Sequence, residues 1–316
     1  MSSVPNLEMA LLAVERACRI TRDLQDDLPT DGSRTKADRT PVTVADYAAQ
    51  AAVGLTLGGI FVGEESASGL ESDPALAERA LEAARLEWPE LERSTFLDAI
   101  RLGEGATRPE GFWTLDPVDG TKGFLRREQY CVSLAWVEGG EPKLGVLGCP
   151  RLAAAPGQVA GEGALVWAER GAGARWSPLD RPSESTRFET PLPRARIRIA
   201  ESAEAAHTDQ TLGPSLLARA GLEGDAPVRV DSQVKYAIVA RGDAEVFLRR
   251  PRSGYVEAIW DHAAGSLISS EAGCVVTDLS GRTLDFGHGR RLEQNDGMLV
   301  APAELHERLL TALGED

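Results

Sequence analysis

The sequence has few basic residues, few cysteines and no long apolar run, and each shortage excludes a class of protein. Its 316 residues include 34 lysines and arginines against 49 aspartates and glutamates, for a net charge of −15. This excess of negative charge argues against a polynucleotide ligand, because a phosphate backbone needs a basic surface. No apolar stretch reaches the ~20 residues of a membrane-spanning helix. A small anion remains open as a ligand, held in a local basic pocket or by bound cations.

The cysteines and histidines show no metal-binding or disulfide pattern. Cys18, Cys131, Cys149 and Cys274 form no CxxC pair and have no short regular spacing. They are predicted to be buried thiols in a reducing compartment rather than a disulfide framework or a zinc site. The four histidines form no HxxxH pair. The N-terminus shows no basic stretch followed by an apolar run, so no secretory signal is predicted and a cytoplasmic location is expected.

Composition and length indicate a globular chain with a large core. Hydrophobic residues make up 42% and charged residues 26% of the sequence, which rules out a wholly disordered chain. A chain of this length buries roughly three-quarters of its unfolded surface and has room for about two domains or one large α/β unit.

The hydrophobic pattern of the first half predicts helices followed by strands. Apolar residues recur at three- and four-residue spacing over 7–28, and Ala, Leu and Glu dominate 74–100, so both stretches are predicted helices. Another helix is predicted from about Ala45. IFVG predicts a short strand that leaves into a loop, and FWTLD predicts a strand that stops at Asp116 in a Pro/Gly turn.

The second half is richer in strands. CVSLAWVEGGEPKLGVLGCP and ALVWAERGAGARW are predicted hairpins with turns at GGEP and GAGA. Residues 177–193 are predicted to form an exposed connection. Helices are predicted after Thr208 and over 262–272, between the predicted strands RIRIAES, VRVDS, EVFLRRP, CVVTDLSG and GMLVAP.

The densest group of chemistry-bearing residues is DPVDGT, which runs from Asp116 to Thr121. The proline fixes a turn, so Asp116 and Asp119 can converge with the main-chain carbonyl of Val118 between them. Ligation by oxygen atoms alone suits Mg²⁺ better than zinc. Gly120 lets the backbone approach a ligand, and the amides that follow can open a helix and hold a phosphate. A solvated Asp-Pro turn would explain DPxD alone, but the full motif after a hydrophobic strand favours a metal site.

Three further acids complete a candidate cluster, although each alone has an ordinary structural explanation. Glu64 follows the apolar run IFV, where adjacent glutamates usually form a solvated loop. Asp261 either N-caps the helix that begins at HAAG or reaches a metal from the end of an element. Asp46 is either a first-turn acid favoured by the helix dipole or part of the same site. Together with the two acids of DPVDGT, they fit a phosphoester hydrolase with cations ~4 Å apart.

Motifs along most of the chain resemble one enzyme family. GEES, WTLDPVDGTKGF and WDHAAG, in this order, resemble the lithium-sensitive, magnesium-dependent phosphatases of the inositol monophosphatase family. PVTVADYAAQ, GEESASGL, DPVDGTKGFLR, DSQVKY, FLRRP, IWDHAAG and LDFGHGR resemble its 3′(2′),5′-bisphosphate nucleotidase branch more closely. The resemblance covers about residues 36–300 and is least informative over 70–110 and 150–190.

The resemblance implies a fold, a domain organisation and a metal site. The fold is the α/β fold of the sugar phosphatases, layered α-β-α-β-α. Residues 1–155 form an N-terminal α+β part that carries most metal ligands, and residues 156–316 form a C-terminal α/β part that carries the nucleotide-binding residues. Two or three Mg²⁺ ions are the implied cofactors, and Li⁺ is an expected inhibitor. The implied metal ligands are Glu64, Asp116, Val118 through its carbonyl, Asp119 and Asp261.

The resemblance also assigns the catalytic pair and the phosphate-binding amides. Asp46 and Thr121 correspond to the pair that orients and deprotonates the attacking water. A threonine hydroxyl can accept a hydrogen bond from water while it donates its own to a carboxylate, which agrees with that role. The amides of Gly120 and Thr121 would hold the scissile phosphate.

The substrate-binding residues implied by the resemblance are His207, Ser232, Lys235, Arg249 and Asp261. Lys235 and Arg249 provide cations for the second phosphate of a bisphosphate nucleotide, a task for which the arginine fork is suited. For His207 an ordinary loop histidine remains the alternative.

Other side chains in this region are interpreted as structural. Arg250 and Arg252 are expected in a solvated basic turn. Tyr255 and Trp260 are interpreted as core aromatics rather than as groups that stack on a base.

The implied reaction is hydrolysis of the 3′-phosphate of adenosine 3′,5′-bisphosphate to AMP and phosphate by a metal-activated water, with 3′-phosphoadenosine 5′-phosphosulfate as a second substrate. The expected partner is a phosphorylated nucleotide, with neither a polynucleotide nor a membrane, and the chain is expected to be a monomer or a homodimer. The alternative within enzymes is an inositol (poly)phosphate 1-phosphatase, which is distinguished by whether Lys235 and Arg249 face the site. The alternative from another class is a catalytically inactive nucleotide- or metal-binding regulator, and the presence of every catalytic acid argues against it.

Overall fold

The first helix of the chain follows directly from its apolar spacing. The computed structural model of the protein describes residues 5–29, 40–158, 160–203, 212–251 and 254–314. Asn6 caps the helix by accepting a hydrogen bond from the Glu8 amide at 2.8 Å, which satisfies an amide that a helix start leaves unpaired. Val14 and Cys18 lie on its buried face. The predicted helix over 7–28 is confirmed and ends at Asp26.

The described part of the chain contains ten α-helices and twelve strands. The helices are α1 (Leu7–Asp26), α2 (Thr40–Leu57), α3 (Ala67–Ser72), α4 (Pro74–Ala84), α5 (Arg93–Arg101), α6 (Thr121–Leu125), α7 (Leu212–Arg219), α8 (Val234–Ala240), α9 (Ala263–Glu271) and α10 (Ala303–Leu313). The strands are β1 (Phe61–Gly63), β2 (Phe112–Asp119), β3 (Cys131–Glu138), β4 (Glu141–Cys149), β5 (Ala164–Glu169), β6 (Gly173–Pro178), β7 (Thr186–Arg187), β8 (Ile199–Glu201), β9 (Val228–Arg229), β10 (Val246–Arg249), β11 (Cys274–Thr277) and β12 (Met298–Pro302). One turn of 3₁₀-helix, Ile259–Asp261, precedes α9.

Strands β1 to β7 form the first sheet and lie in it in chain order. β1 pairs with β2 in parallel, and each later neighbour pairs in an antiparallel manner. Gly139 and Gly140 join β3 to β4, and both have positive φ angles of 61° and 78°, which a two-residue hairpin turn requires. Both predicted hairpins are confirmed, β3 with β4 and β5 with β6.

The second sheet has the strand order β11-β12-β10-β8-β9. β10 lies at its centre, antiparallel to β12 and parallel to β8. The last residue of β10 is Arg249, so this side chain leaves the carboxyl end of a central strand.

The sheets and helices stack in five layers. α1 and α2 cover the outer face of the first sheet, α8 and α9 lie between the two sheets, and α7 and α10 cover the outer face of the second. A large apolar cluster surrounds α8 and α9 and joins both sheets. The predicted α/β class and its α-β-α-β-α layering are confirmed.

Several elements differ from their predictions for identifiable reasons. Residues 74–100 form two helices, α4 and α5, because Pro89 disfavours a helical conformation at the residue before it. The strand predicted to stop at Asp116 continues to Asp119, with a register shift against β3 between these two residues. All seven residues of α8 are buried, so this helix has no polar face and its sequence shows no helical period.

The described residues also bear on the domain organisation and the thiols. The first sheet extends to Arg187 and the second begins at Ile199, so the change of sheet does not coincide with the predicted division after residue 155. That division stays a prediction. The four cysteines are buried free thiols, as predicted. Among the helices described, none combines the length and the apolar character that a membrane crossing needs.

Candidate active site

The turn after β2 places the acids of DPVDGT at the edge of the first sheet. The Val118 amide donates a hydrogen bond to Asp116 Oδ1 at 3.1 Å, which folds the chain back over the first carboxylate. Gly120 has a φ of +93° and caps α6, whose first residue is Thr121. A Cβ atom at Gly120 would lie 2.9 Å from the Cβ of Ser232, so glycine is required there both by the backbone angle and by the close approach of a second loop.

Glu64 reaches the same edge because β1 runs parallel to β2. Gly63 lies opposite Leu115, and the Glu64 amide donates to the Leu115 carbonyl at 3.2 Å, so Glu64 is carried next to Asp116. The carboxyl ends of parallel neighbours meet at one edge of a sheet. The position of Glu64 beside the Asp116 side chain therefore depends on strand pairing, since 51 residues separate them along the chain.

Glu65 is a member of this site that the sequence did not single out. Gln50 holds its backbone on both sides, with Nε2 donating to the Glu65 carbonyl at 2.8 Å and Oε1 accepting from the Glu65 amide at 3.2 Å. The Tyr47 hydroxyl bonds the Glu65 carboxylate, and the Glu65 charge acts on Asp46. A pair of α2 residues, Tyr47 and Gln50, thus fixes this glutamate at the site.

Asp46 and Thr121 lie on two helices that pack against each other, α2 and α6. α2 begins at Thr40, so Asp46 lies beyond its first turn and the interpretation of a first-turn acid is wrong. Burial, followed by the charges of Glu65 and Glu64, raises the pKa of Asp46 well above its ordinary value. Asp46 therefore lies within range of Glu64, which is a predicted metal ligand, and of Glu65.

Asp261 ends the 3₁₀ turn that precedes α9. The cap of α9 is His262, so the interpretation of Asp261 as its N-cap is wrong. Asp261 Oδ2 accepts a hydrogen bond from the Ala258 amide at 3.1 Å, which fixes the carboxylate. The charges of Asp119 and Glu64 act on it.

These acids are referred to below as the carboxylate cluster, whose members are Asp46, Glu64, Glu65, Asp116, Asp119 and Asp261. Burial raises the pKa of every member, and the charges of neighbouring acids add to this shift for Asp46, Glu64, Asp116 and Asp261. For Glu64, burial and then the Glu65 charge raise the pKa to about 7. For Asp116, burial is the largest cause, and the charges of Glu64 and Asp119 add to it. So much acidic charge at one place needs cations to compensate it, and carboxylate and carbonyl oxygens are the ligands that Mg²⁺ prefers. The residues therefore fit the predicted metal.

The tightest group of potential ligands is not the predicted one. Among the residues described, one set of three His, Cys, Asp or Glu side chains has its ligand atoms all within 4.8 Å of one another, namely Glu257, Asp261 and His262. Glu257 already accepts hydrogen bonds from Arg249 and from His262, so two members of this set are engaged with protein groups. Glu257 and His262 are therefore hydrogen-bonded to each other beside the cluster, and Asp261 is the member that this set shares with the cluster.

Ser232 and Lys235 flank the cluster from the start of α8. Ser232 has a φ of +69°, and the next amide, that of Gln233, donates to Asp119 Oδ2 at 2.5 Å. The Lys235 side chain is buried, donates to the Val230 carbonyl at 3.4 Å and lies over the ring of Phe247. Burial lowers the pKa of Lys235 to about 8, and the nearby Asp119 opposes that shift. A buried ammonium group therefore lies next to a predicted metal ligand.

Arg249 is paired with a partner that the sequence did not indicate. Its Nε donates to Glu257 Oε1 at 2.7 Å and its Nη2 donates to Oε2 at 3.1 Å. Its charge also acts on Asp119 and Asp261, so the guanidinium lies within range of the cluster. Arg250 is exposed, as predicted, whereas His207 and Arg252 lie outside the described residues.

The Arg249 partner belongs to a buried network. His262 Nε2 donates to Glu257 Oε2 at 3.2 Å, and His262 Nδ1 accepts from the Tyr236 hydroxyl at 3.0 Å. These roles follow from the carboxylate, which can only accept, so the neutral ring carries its proton on Nε2. Burial opposes ionisation of Glu257, but the hydrogen bond from His262 and the charge of Arg249 outweigh it and lower the pKa of Glu257 to about 2.

The two aromatic residues near the cluster have different environments. Trp260 is buried, as predicted, beneath two arginines: Arg290 lies 4.6 Å and Arg291 5.9 Å from its ring centroid. Arg290 also donates to the Gly63 carbonyl at 2.6 Å, which ties the LDFGHGR segment to the loop that carries Glu64. Tyr255 is 49% exposed, so its interpretation as a core aromatic is wrong.

The sequence motifs indicate a family, and comparison with a model of that family confirms the membership. The model of the inositol monophosphatase family matches residues 8–315. The chain belongs to this family. Its members are metal-dependent phosphatases, which agrees with the donor chemistry of the carboxylate cluster.

Curated relatives match over nearly the whole chain. A protein of Oryza sativa named 3′(2′),5′-bisphosphate nucleotidase is 38% identical over 97% of this chain and 93% of its own length. Proteins with the same name from Emericella nidulans and Dictyostelium discoideum are 37% and 34% identical, and each alignment covers 96% of this chain and 96% or 95% of the relative. The branch indicated by DSQVKY and FLRRP is confirmed by these relatives.

Solved structures share the fold at lower identity. CysQ from Bacteroides thetaiotaomicron, a bacterial member of the inositol monophosphatase family, aligns with a TM-score of 0.61 at 21% identity over 93% of this chain and 96% of that chain. The extragenic suppressor protein suhB from Bartonella henselae aligns with a TM-score of 0.61 at 20% identity over 98% of this chain and all of that chain. These likenesses establish the fold.

Proposed function

We propose that the protein is a magnesium-dependent 3′(2′),5′-bisphosphate nucleotidase, which hydrolyses the 3′-phosphate of adenosine 3′,5′-bisphosphate to AMP and phosphate. The observation that carries this proposal is the presence of two cations, Lys235 and Arg249, beside the carboxylate cluster. A substrate with one phosphate uses the cluster alone, whereas a bisphosphate also needs positive charge nearby. The relatives named 3′(2′),5′-bisphosphate nucleotidase support the same substrate class. We expect 3′-phosphoadenosine 5′-phosphosulfate to be a second substrate.

The metal would be held by oxygen atoms of the first sheet and of the 3₁₀ turn. Glu64, Asp116, Asp119 and Asp261 would supply carboxylates, and Val118 would supply its main-chain carbonyl. Mg²⁺ bound there neutralises phosphate charge and lowers the pKa of water. Repulsion within the cluster supports this assignment, because the acids raise one another's pKa values. Two or three ions and inhibition by Li⁺ are expected.

Asp46 and Thr121 would handle the attacking water. The Thr121 hydroxyl would accept a hydrogen bond from the water and donate its own to Asp46, so the carboxylate can take up the proton as the water attacks phosphorus. The packing of α2 against α6 and the raised pKa of Asp46 support this pairing, because a carboxyl whose neutral form is favoured accepts a proton readily. The amides of Gly120 and Thr121 would hold the scissile 3′-phosphate.

Ser232, Lys235 and Arg249 would hold the second phosphate. Lys235 is buried near Asp119, and Arg249 lies at the end of β10 with 22% of its side chain exposed. An arginine fork and an ammonium group together match the geometry and charge of a phosphate. Inositol 1-phosphate has no group that needs these cations, which argues against an inositol monophosphate as the substrate.

Phosphate release tests the proposal. With Mg²⁺, adenosine 3′,5′-bisphosphate should be hydrolysed far faster than AMP or inositol 1-phosphate, and Li⁺ should suppress the reaction. Preference for inositol 1-phosphate would keep the metal site and refute the nucleotide. No turnover of any of the three would favour a catalytically inactive regulator.

Arg249→Ala separates the two phosphates. The loss of charge-assisted hydrogen bonds should raise KM for the bisphosphate roughly 10- to 100-fold. Arg250→Ala is the matched control, because its side chain is the exposed neighbour in the same strand end. Equal losses from both variants would show that general basic charge, not Arg249, holds the second phosphate.

A further inference from the structure

Arg249 is bound by Glu257 along one edge of its guanidinium only. The two hydrogen bonds run from Nε to Oε1 at 2.7 Å and from Nη2 to Oε2 at 3.1 Å, so they use the edge of the guanidinium that Nε and Nη2 form. A guanidinium has five N–H donors, so three remain, and they lie on Nη1 and Nη2. One from each nitrogen forms the end-on fork that matches two phosphate oxygens. The pairing with Glu257 therefore leaves the phosphate-binding edge intact.

The accessibility of the pair is unequal. The Arg249 side chain is 22% exposed and that of Glu257 is 4% exposed. Among the residues described, the structure gives the Arg249 side chain no hydrogen-bond partner other than Glu257. The charge of Arg249 acts on Asp119, Asp261 and Lys235. Solvent can thus reach the arginine, whose charge acts on the carboxylate cluster, while the glutamate is almost fully buried.

Glu257 is itself held by buried groups. His262 Nε2 donates to Glu257 Oε2 at 3.2 Å, and the His262 ring is fixed in turn by the Tyr236 hydroxyl at 3.0 Å. The Glu257 main-chain carbonyl accepts from the Leu292 amide at 2.9 Å. Both the backbone and the side chain of Glu257 are anchored, so it offers a fixed surface on which the arginine rests.

We propose that Glu257 is a positioning residue that holds the Arg249 guanidinium with its free edge toward the second phosphate, and thereby sets the preference for bisphosphate over monophosphate nucleotides. This inference rests on the proposed function. A free arginine side chain loses rotamer freedom when it binds a phosphate, and a guanidinium already fixed by Glu257 loses less. Neutralisation by the glutamate also weakens attraction for anions in the wrong place, so the fixed geometry of the guanidinium adds to the positive charge of Lys235 in selecting the substrate.

The test compares two nucleotides that share the scissile ester. Adenosine 3′-monophosphate differs from adenosine 3′,5′-bisphosphate only by the phosphate assigned to Arg249. Glu257→Gln should raise KM for the bisphosphate about tenfold, equal to about 1.4 kcal/mol, with kcat changed less than twofold. The same variant should leave KM for the monophosphate unchanged. Glu257→Asp keeps the charge but shortens the reach, and should give an intermediate loss.

A double variant shows whether Glu257 acts through Arg249. In the Arg249→Ala background, Glu257→Gln should add no further change to the ratio of the two KM values. Glu245→Gln is the matched control, since Glu245 is also a buried glutamate paired with arginines, Arg194 and Arg198, just before β10. It should lower thermal stability without moving the ratio.

Several outcomes would overturn the inference. Equal losses on both nucleotides would mean that Glu257 acts on structure alone, and a further loss in the double variant would mean that it acts apart from Arg249. Tighter binding of the bisphosphate by Glu257→Gln would mean that the glutamate only competes for the guanidinium. A wild-type protein that does not prefer the bisphosphate would refute the proposed function as well, and this result is distinct from an unchanged ratio in the variants.

Discussion

Replacing Gly120 by alanine tests the turn that joins the metal-ligand strand to α6. Gly120 has a φ of +93°, where an L-residue with a side chain is strained by roughly 1–2 kcal/mol. The new Cβ would lie 2.9 Å from the Ser232 Cβ and 3.3 Å from the Tyr130 Cα, closer than ordinary contact. Relief of that overlap adds roughly 1–3 kcal/mol. The expected loss of unfolding free energy is therefore about 2–5 kcal/mol.

The functional loss should be larger than the loss of stability suggests. Gly120 lies between the predicted ligand Asp119 and the predicted water-orienting residue Thr121, and its new side chain would push on Ser232. A displacement near 1 Å in such a site can reduce kcat about 100-fold. Urea denaturation measures the first quantity, and phosphate release at saturating Mg²⁺ and bisphosphate measures the second.

Gly58→Ala is the control for the backbone angle. Gly58 has a φ of +67°, and a Cβ there would meet no atom within 4 Å. This variant should lose only about 1 kcal/mol and keep its activity. If Gly120→Ala were no less stable and no less active than Gly58→Ala, the close approach of Ser232 would not matter and the reasoning would be refuted.

Three further predictions concern the metal site, a buried histidine and the hydrogen bond from Arg290 to the loop that carries Glu64. Asp116→Asn should abolish turnover and the thermal stabilisation by Mg²⁺, yet raise the metal-free free energy of unfolding by about 1–2 kcal/mol, because repulsion within the carboxylate cluster falls. Thermal melts with and without Mg²⁺ measure both effects. A variant that melts at a lower temperature than the wild type in both would contradict the prediction. Burial lowers the pKa of His306, so the unfolded chain takes up a proton on this histidine more readily than the folded chain, and the free energy of unfolding falls as pH drops below about 6.5. His306→Asn should flatten that part of the curve of unfolding free energy against pH. An unchanged slope would exclude His306 as its source. Arg290→Ala removes the 2.6 Å hydrogen bond to the Gly63 carbonyl and should raise the Mg²⁺ concentration for half-maximal activity about 5-fold, and Arg290→Lys should give a smaller increase. An unaltered Mg²⁺ titration would show that the Arg290 hydrogen bond does not position Glu64.

Much of the local structure could be predicted from the sequence because it depends on neighbours in the chain. The apolar period of α1 and the glycines between β3 and β4 act within a few residues, and both elements form where they were expected. DPVDGT also acts locally, since the Val118 amide folds back onto Asp116 and Gly120 opens α6. The strand nevertheless continues past its predicted end, because pairing with β3 extends to Asp119 through a register shift.

Other features depend on packing that no single segment encodes. The interior helix α8 is buried on all sides, so its sequence lacks the alternation that marks surface helices. The residue type of Tyr255 predicts a core aromatic, yet 49% of it is exposed. Residue type gives an average preference for burial, whereas the final environment is set by which elements lie next to each other.

The sequence by itself determined the family, the identity of the acids and the turn that presents two of them. Tertiary structure alone decided that Glu64 lies beside Asp116, since this needs the parallel pairing of β1 with β2. It also decided the Arg249–Glu257 pair, which forms because β10 and the segment before the 3₁₀ turn meet at the carboxylate cluster. The physical reason is range: turns and helix caps are fixed by hydrogen bonds between near neighbours in the chain, whereas the charges of the site are brought together by strand pairing and by burial between two sheets.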